Sequence, residues 1–195
     1  MKGEKMLFRV LLAVLVCSMA VTEGLLMIQG RWQEAVPLHL CSVSAIAAAG
    51  LACASNQSLL NFLWYLGMPG ALLALLFPAP ASSVCQPLLN SSYLMTHALI
   101  LAIPLFKMAY GMRPQPGKTP QMMLSLIVLS GAAALVNGMF GTDFLFLSAP
   151  PAGTPLEVIF QFGYSLYIFV LFALMLLCCM GMDALARGLL RKTVQ

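Results

Sequence analysis

Residues 6–28 read MLFRVLLAVLVCSMAVTEGLLMI, a long apolar run with only Arg9 and Glu23 charged. At 1.5 Å per residue, about 20 such residues cross the hydrocarbon core of a bilayer as a helix. Barrel strands would alternate apolar and polar residues with a period of two, and this run does not. Five more runs of the same character follow, at residues 36–54, 59–77, 92–110, 121–139 and 157–182. Pro37 suits the first turn of the second, and Pro78 and Pro80 stop the third. The expectation is an all-α polytopic membrane protein: a six-transmembrane-helix bundle forming one integral membrane domain over residues 1–195.

Composition agrees. The chain is 61% hydrophobic and 8% charged, whereas soluble domains carry about 25% charged residues. Intrinsic disorder needs low hydrophobicity, and nucleic-acid binding needs clustered Lys and Arg; both are excluded. The net charge of +4 reads as topology, because positive loops stay cytoplasmic. Lys2, Lys5 and Arg9 flank the first span, Lys107, Arg113 and Lys118 the fourth-to-fifth connection, and Arg187, Arg191 and Lys192 the sixth. With six spans, nine of the ten basic residues fall on one side and only Arg31 on the other. Both termini are therefore expected to be cytoplasmic, in a multi-pass protein of the cell membrane whose partner is membrane lipid. A cleavable signal peptide ending near Ser18-Met19-Ala20 is the rival reading of the N-terminus. The apolar run continues through Leu25, Leu26 and Ile28, longer than a usual signal core. Ala47, Gly50 and Ala54 give the second span a small-residue face suited to a central helix, and Ser130 to Ala134 do the same for the fifth.

Polar groups inside a membrane are costly, and their depths are informative. Glu23 lies about 7 Å below the outer edge, His39 and Cys41 about 4 to 8 Å, and His97 about 7 Å. Asn137 closes the fifth span on that side, Asp143 follows in the loop, and Gln161 and Tyr164 lie one to two turns into the sixth. Five spans thus contribute to one outer layer, which suggests a polar cavity open to the outer leaflet; the inner half offers little besides Asn61 and Lys107. Hydrogen bonding between neighbouring helices is the plainer account of any single member.

The six cysteines show no C-x-x-C and no zinc-ligand spacing, so neither metal nor cofactor is expected. Cys17, Cys53, Cys178 and Cys179 read as small hydrophobes. Cys41 shares a depth with His97, and a nucleophilic thiol needs a base. His39, two residues away, falls about 200° around the helix, so His97 is the better partner. A Cys41–Cys85 disulfide competes with this pairing. No phosphate loop, G-x-S-x-G elbow or H-E-x-x-H is present.

Pro37-Leu38-His39-Leu40-Cys41 resembles the "PLHLC" signature of the YwaF-like integral membrane proteins, relatives of transmembrane protein 164. The likeness continues through Gly67-Met68-Pro69-Gly70-Ala71, Ala74-Leu75-Leu76-Phe77-Pro78, Tyr93 to His97, Gly111-Met112-Arg113-Pro114, and Asn137 with Gly141 to Leu147. Asp143 stands where an Asn is usual, and Leu73 where a Gln is expected. The resemblance implies a phospholipid acyltransferase or acyl hydrolase, with Cys41 as nucleophile and His97 as catalytic base. Asn137 or Tyr164 would donate to the oxyanion, and His39 or Glu23 would orient the base. The alternative is a non-enzymatic ligand binder or small transporter, with Glu23 and the histidines in its polar cavity.

Overall fold

The computed structural model describes residues 2–77 and 86–193, and every regular element among them is helical. We label the main helices α1 (Lys2–Ile28), α2 (Leu40–Cys53), α3 (Gln57–Leu76), α4 (Gln86–Ala109), α5 (Thr119–Phe140) and α6 (Tyr164–Thr193). A 3-10 turn at Phe144–Phe146 and a short helix at Leu156–Phe160 link α5 to α6. Five of the six are long and apolar enough to cross a membrane; α2, with 14 residues, is shorter.

Helices α1 and α4 begin earlier than expected, at Lys2 and Gln86 instead of residues 6 and 92, and two further differences have a visible cause. The second helix starts at Leu40 rather than at Val36, so Pro37 precedes it instead of occupying its first turn. Val36 and Leu38 pack on the cluster of Ala133, Phe144 and Leu147, and His39 is extended at φ −67°, ψ 144°. These side chains hold the segment out of the helix. The sixth run is broken at Gly163, whose φ of +127° suits a residue without a Cβ. The membrane-length helix therefore begins at Tyr164 and runs well past residue 182.

Two packed groups share α3. On one side α1, α2, α4 and the first half of α3 close over Leu15, Ala45, Ala48, Leu51, Leu60 and Ile100. On the other, Trp64, Tyr65 and Leu66 of α3 meet Met122 and Leu126 of α5 and Cys179 and Ala186 of α6. Helix α2 is central: Ser44, Ala45, Ala47, Ala48, Leu51 and Ala52 are buried. A Cβ on Gly50 would lie 2.9 Å from Leu59 Cδ1, so α2 and the start of α3 approach closely there. Ala54 is exposed beyond the helix end, and in α5 only Ser130 and Ala133 of the small-residue stretch face inward.

Helix α3 contains a π turn at Leu63–Gly67, immediately before Pro69. Proline has no N–H to give to the carbonyl four residues back, which here is Tyr65. That oxygen instead receives Cys179 Sγ at 3.6 Å, joining α3 to α6.

Candidate functional site

A cavity of about 80 Å³ lies among α1, α2 and α4, lined by Met19, Thr22 and Glu23, by Cys41, Ser42 and Ala45, and by Tyr93, Thr96 and His97. Cys41, His97 and Glu23, far apart in sequence, thus face one small space. Each is placed by a local feature. Because α2 begins at Leu40, Cys41 sits in its first turn, ahead of the first bond into the helix, Val43 N–H to His39 O at 3.1 Å. Backbone N–H groups in a first helical turn have no partner inside the helix. The cavity wall formed by this first turn carries the Cys41 thiol and the neighbouring Ser42.

His97 is 3% exposed. Its Nδ1 lies 2.8 Å from the Tyr93 carbonyl oxygen, one turn earlier in α4. A carbonyl only accepts, so Nδ1 carries the proton of the neutral ring and Nε2 keeps its lone pair. The Tyr93 ring packs on the imidazole with centroids 4.1 Å apart, and its hydroxyl donates to Ala74 O in α3 at 3.1 Å. Tyr93 thus holds the His97 ring, for which His39 or Glu23 was expected; His39 packs on Phe144, and Glu23 lines the same cavity. The i, i+4 spacing of Tyr93 and His97 was the available signal. Glu23 Oε2 is buried without a hydrogen-bond partner.

The wall between α1 and α4 is a hydroxyl ladder. Ser18 Oγ donates to Ser92 O at 2.7 Å and lies 2.8 Å from Thr96 Oγ1, while Thr22 Oγ1 lies 2.9 Å from Ser92 Oγ. An apolar groove of about 390 Å³, lined by Ala13, Val14, Cys17, Val21, Leu88 and Met95 among others, runs beside this ladder.

The remaining residues of the expected outer layer are elsewhere. His39 stacks edge-on against Phe144, with centroids 4.9 Å apart. Asn137 is buried, but its amide is engaged by the following loop: Nδ2 donates to Phe144 O at 3.1 Å, and Oδ1 accepts from Phe144 N and Thr142 Oγ1 at 2.8 and 2.9 Å. Asp143 accepts from Ser148 N at 2.8 Å in the same loop. Gln161 lies in the turn before the Gly163 break, and Tyr164 is 55% exposed. Neither Asn137 nor Tyr164 reaches the cavity, so neither supplies its oxyanion donor. The loop is tied down instead by Tyr167, whose hydroxyl donates to Phe146 O. The Cys41–Cys85 pairing falls on Cys85, outside the described residues.

The opposite end of the bundle is richer than the sequence suggested. Asp183 accepts from Tyr65 Oη at 2.6 Å, Arg187 Nε at 2.8 Å and Gly117 N. Asn61 donates to Gln115 Oε1 and accepts from Gln115 N, both at 3.0 Å. Lys107 Nζ rests 4.0 Å from the Phe8 ring centroid and 3.3 Å from Ser55 Oγ. These bonds pin the connection between α4 and α5 to α3 and α6.

The model of the TMEM164 family matches residues 2–183. No curated protein and no solved structure matches the chain.

Proposed function

We propose that this chain, which belongs to the TMEM164 family of membrane proteins, is a membrane-embedded acyl-transfer enzyme acting on lipid esters. In this reading it crosses the cell membrane six times with both termini cytoplasmic, and its cavity opens toward the outer leaflet. The observation that carries the proposal is the shared cavity of Cys41 and His97, with the imidazole fixed through Nδ1 so that Nε2 is free to act as base.

The chemistry follows from those groups. His97 Nε2 takes the Cys41 thiol proton, and the thiolate attacks the ester carbonyl of the donor lipid. The ester C–O bond breaks, the departing alkoxide receives the proton from His97, and the acyl group remains on Cys41 as a thioester. A second hydroxyl, from a lysolipid or water, then gives its proton to His97 Nε2 and attacks the thioester. The C–S bond breaks, and the thiolate recovers the proton. The Cys41 position supports this role, since the free amides of a helix N-terminus suit an oxyanion. Small-molecule sites usually measure about 300 Å³ or more. At about 80 Å³ the cavity admits the reacting ester group, while the acyl chain stays among apolar surfaces outside it.

The test is acyl transfer and hydrolysis by the purified protein in lipid nanodiscs. Cys41→Ala is expected to abolish both, and His97→Ala to slow them about 10²–10⁴-fold, the usual worth of a general base. Wild-type rates in both variants would remove the pair from the mechanism. Iodoacetamide separates the enzyme from a simple ligand binder: Cys41 should label fastest of the cysteines and be protected by substrate lipid.

A further inference from the structure

An acyl transfer at Cys41 develops negative charge on the carbonyl oxygen, and such sites commonly aim two donors at it. One source of donors is the first turn of α2, whose amides before Val43 have no partner inside the helix and whose Cys41 and Ser42 line the cavity. The sequence offered Asn137 and Tyr164 for the other, and both lie away from the cavity. Among the described residues that line the cavity, Glu23 Oε2 is a fully buried polar atom without a hydrogen-bond partner. The cavity is small, and an ester group that enters it lies among the walls that carry Cys41, His97 and Glu23.

Among the described residues no Lys or Arg lines this cavity; the titratable groups around Glu23 there are Cys41, Tyr93 and His97. An ionised carboxylate buried without a counter-ion costs far more than a neutral carboxyl, which has one O–H to donate. The same logic keeps a carboxylic acid neutral as an oxyanion donor in other enzymes that stabilise enolates. From this geometry we infer that Glu23, as the un-ionised acid, is the second oxyanion donor at Cys41, a catalytic residue that binds the carbonyl oxygen of the acyl group. The inference rests on the acyl-transfer reading. Glu23 transfers no proton: its hydrogen bond strengthens as the tetrahedral intermediate forms and relaxes when it collapses, in both half-reactions. All proton movement stays with His97.

The experiment compares wild type, Glu23→Leu and Glu23→Gln in nanodiscs. A 4-nitrophenyl acyl ester is the donor and a 1-acyl lysophospholipid the acceptor, with the Cys41 thioester quantified by intact mass. Glu23→Leu should lower kcat about 10²–10³-fold in both half-reactions with little change in KM, as loss of an oxyanion donor does. Glu23→Gln keeps an N–H donor of similar reach and should recover most of that loss. An infrared difference spectrum of wild type against Glu23→Gln should show the C=O stretch of an un-ionised carboxyl. The inference is overturned if the Leu variant is as fast as wild type, or if the Gln variant is as slow as the Leu variant. A carboxylate band in place of the acid band would overturn it too. Absence of a thioester in wild type would instead overturn the acyl-transfer reading, and the infrared band would still report the state of Glu23.

Discussion

Asn137 uses its whole amide on the chain that follows it. Three hydrogen bonds, two of them to the backbone of Phe144, turn the end of α5 into the loop that receives His39. Removing such a side chain leaves a buried N–H and a buried C=O unpaired, a cost of about 1–3 kcal/mol. Asn137→Ala should therefore lower the melting temperature in detergent by several degrees, at roughly 2–4 °C per kcal/mol for a chain of this size. Any acyl-transfer rate per folded molecule should be unchanged. An unaltered melting temperature with activity lost would return Asn137 to the chemistry. The residue shows why the outer polar layer was only partly legible. Counting residues from a helix end gives depth, and depth grouped Glu23, Cys41 and His97 with Asn137, Asp143, Gln161 and Tyr164. It gives no position around the bundle axis. The first three face one cavity, whereas the others belong to α5, α6 and their connection, across α3.

At the scale of elements, apolar runs located the helices because length and hydropathy are local properties. Their breaks depended on tertiary partners. Val36 and Leu38 leave the helical path for the Phe144 cluster, and Gly163 turns the chain where apolarity alone predicted continuity. The π turn before Pro69 has a local cause, the missing proline N–H, yet its use as an acceptor for Cys179 needs α6 beside it. The contact between α1 and α4 is the most testable of these. Hydrogen bonds between helices in membranes average about 0.6 kcal/mol and reach about 1.7. A double-mutant cycle on Thr22→Ala and Ser92→Ala, read by unfolding in mixed micelles, should return a coupling in that range. The pairing of Thr22 with Ser125, an exposed α5 residue whose hydroxyl bonds within its own helix, should return none. Zero coupling between Thr22 and Ser92 would mean that this rung of the ladder adds nothing to holding α1, leaving the Ser18 bonds and apolar packing.

The whole molecule is organised by charge. Of the basic residues whose side chains are described, Lys5, Arg9, Lys107, Arg113, Lys118 and Arg187 belong to the end of the bundle that holds Asp183, Gln115 and the Lys107–Phe8 contact. At the other end Arg31 is bound by Glu34, with N–O at 2.6 Å, so its charge is locally offset. This asymmetry was legible in the sequence because orientation follows Lys and Arg counts in short loops. Whether α2 crosses is the point on which six spans depend. Its 14 residues give about 21 Å of helix, short of the roughly 30 Å core. Residues 36–39 add at most about 13 Å of non-helical chain. The side chains of Val36, Leu38 and His39 lie against protein, where irregular backbone at membrane depth is tolerated. Six crossings place Arg31 outside and both Ser58 and Lys118 inside. In a background without other reactive cysteines, Arg31→Cys should label with a membrane-impermeant maleimide on intact cells. Ser58→Cys and Lys118→Cys should label only after permeabilisation. Labelling of Arg31→Cys and Ser58→Cys from the same side would show that α2 does not cross, and would reduce the bundle to the five long helices.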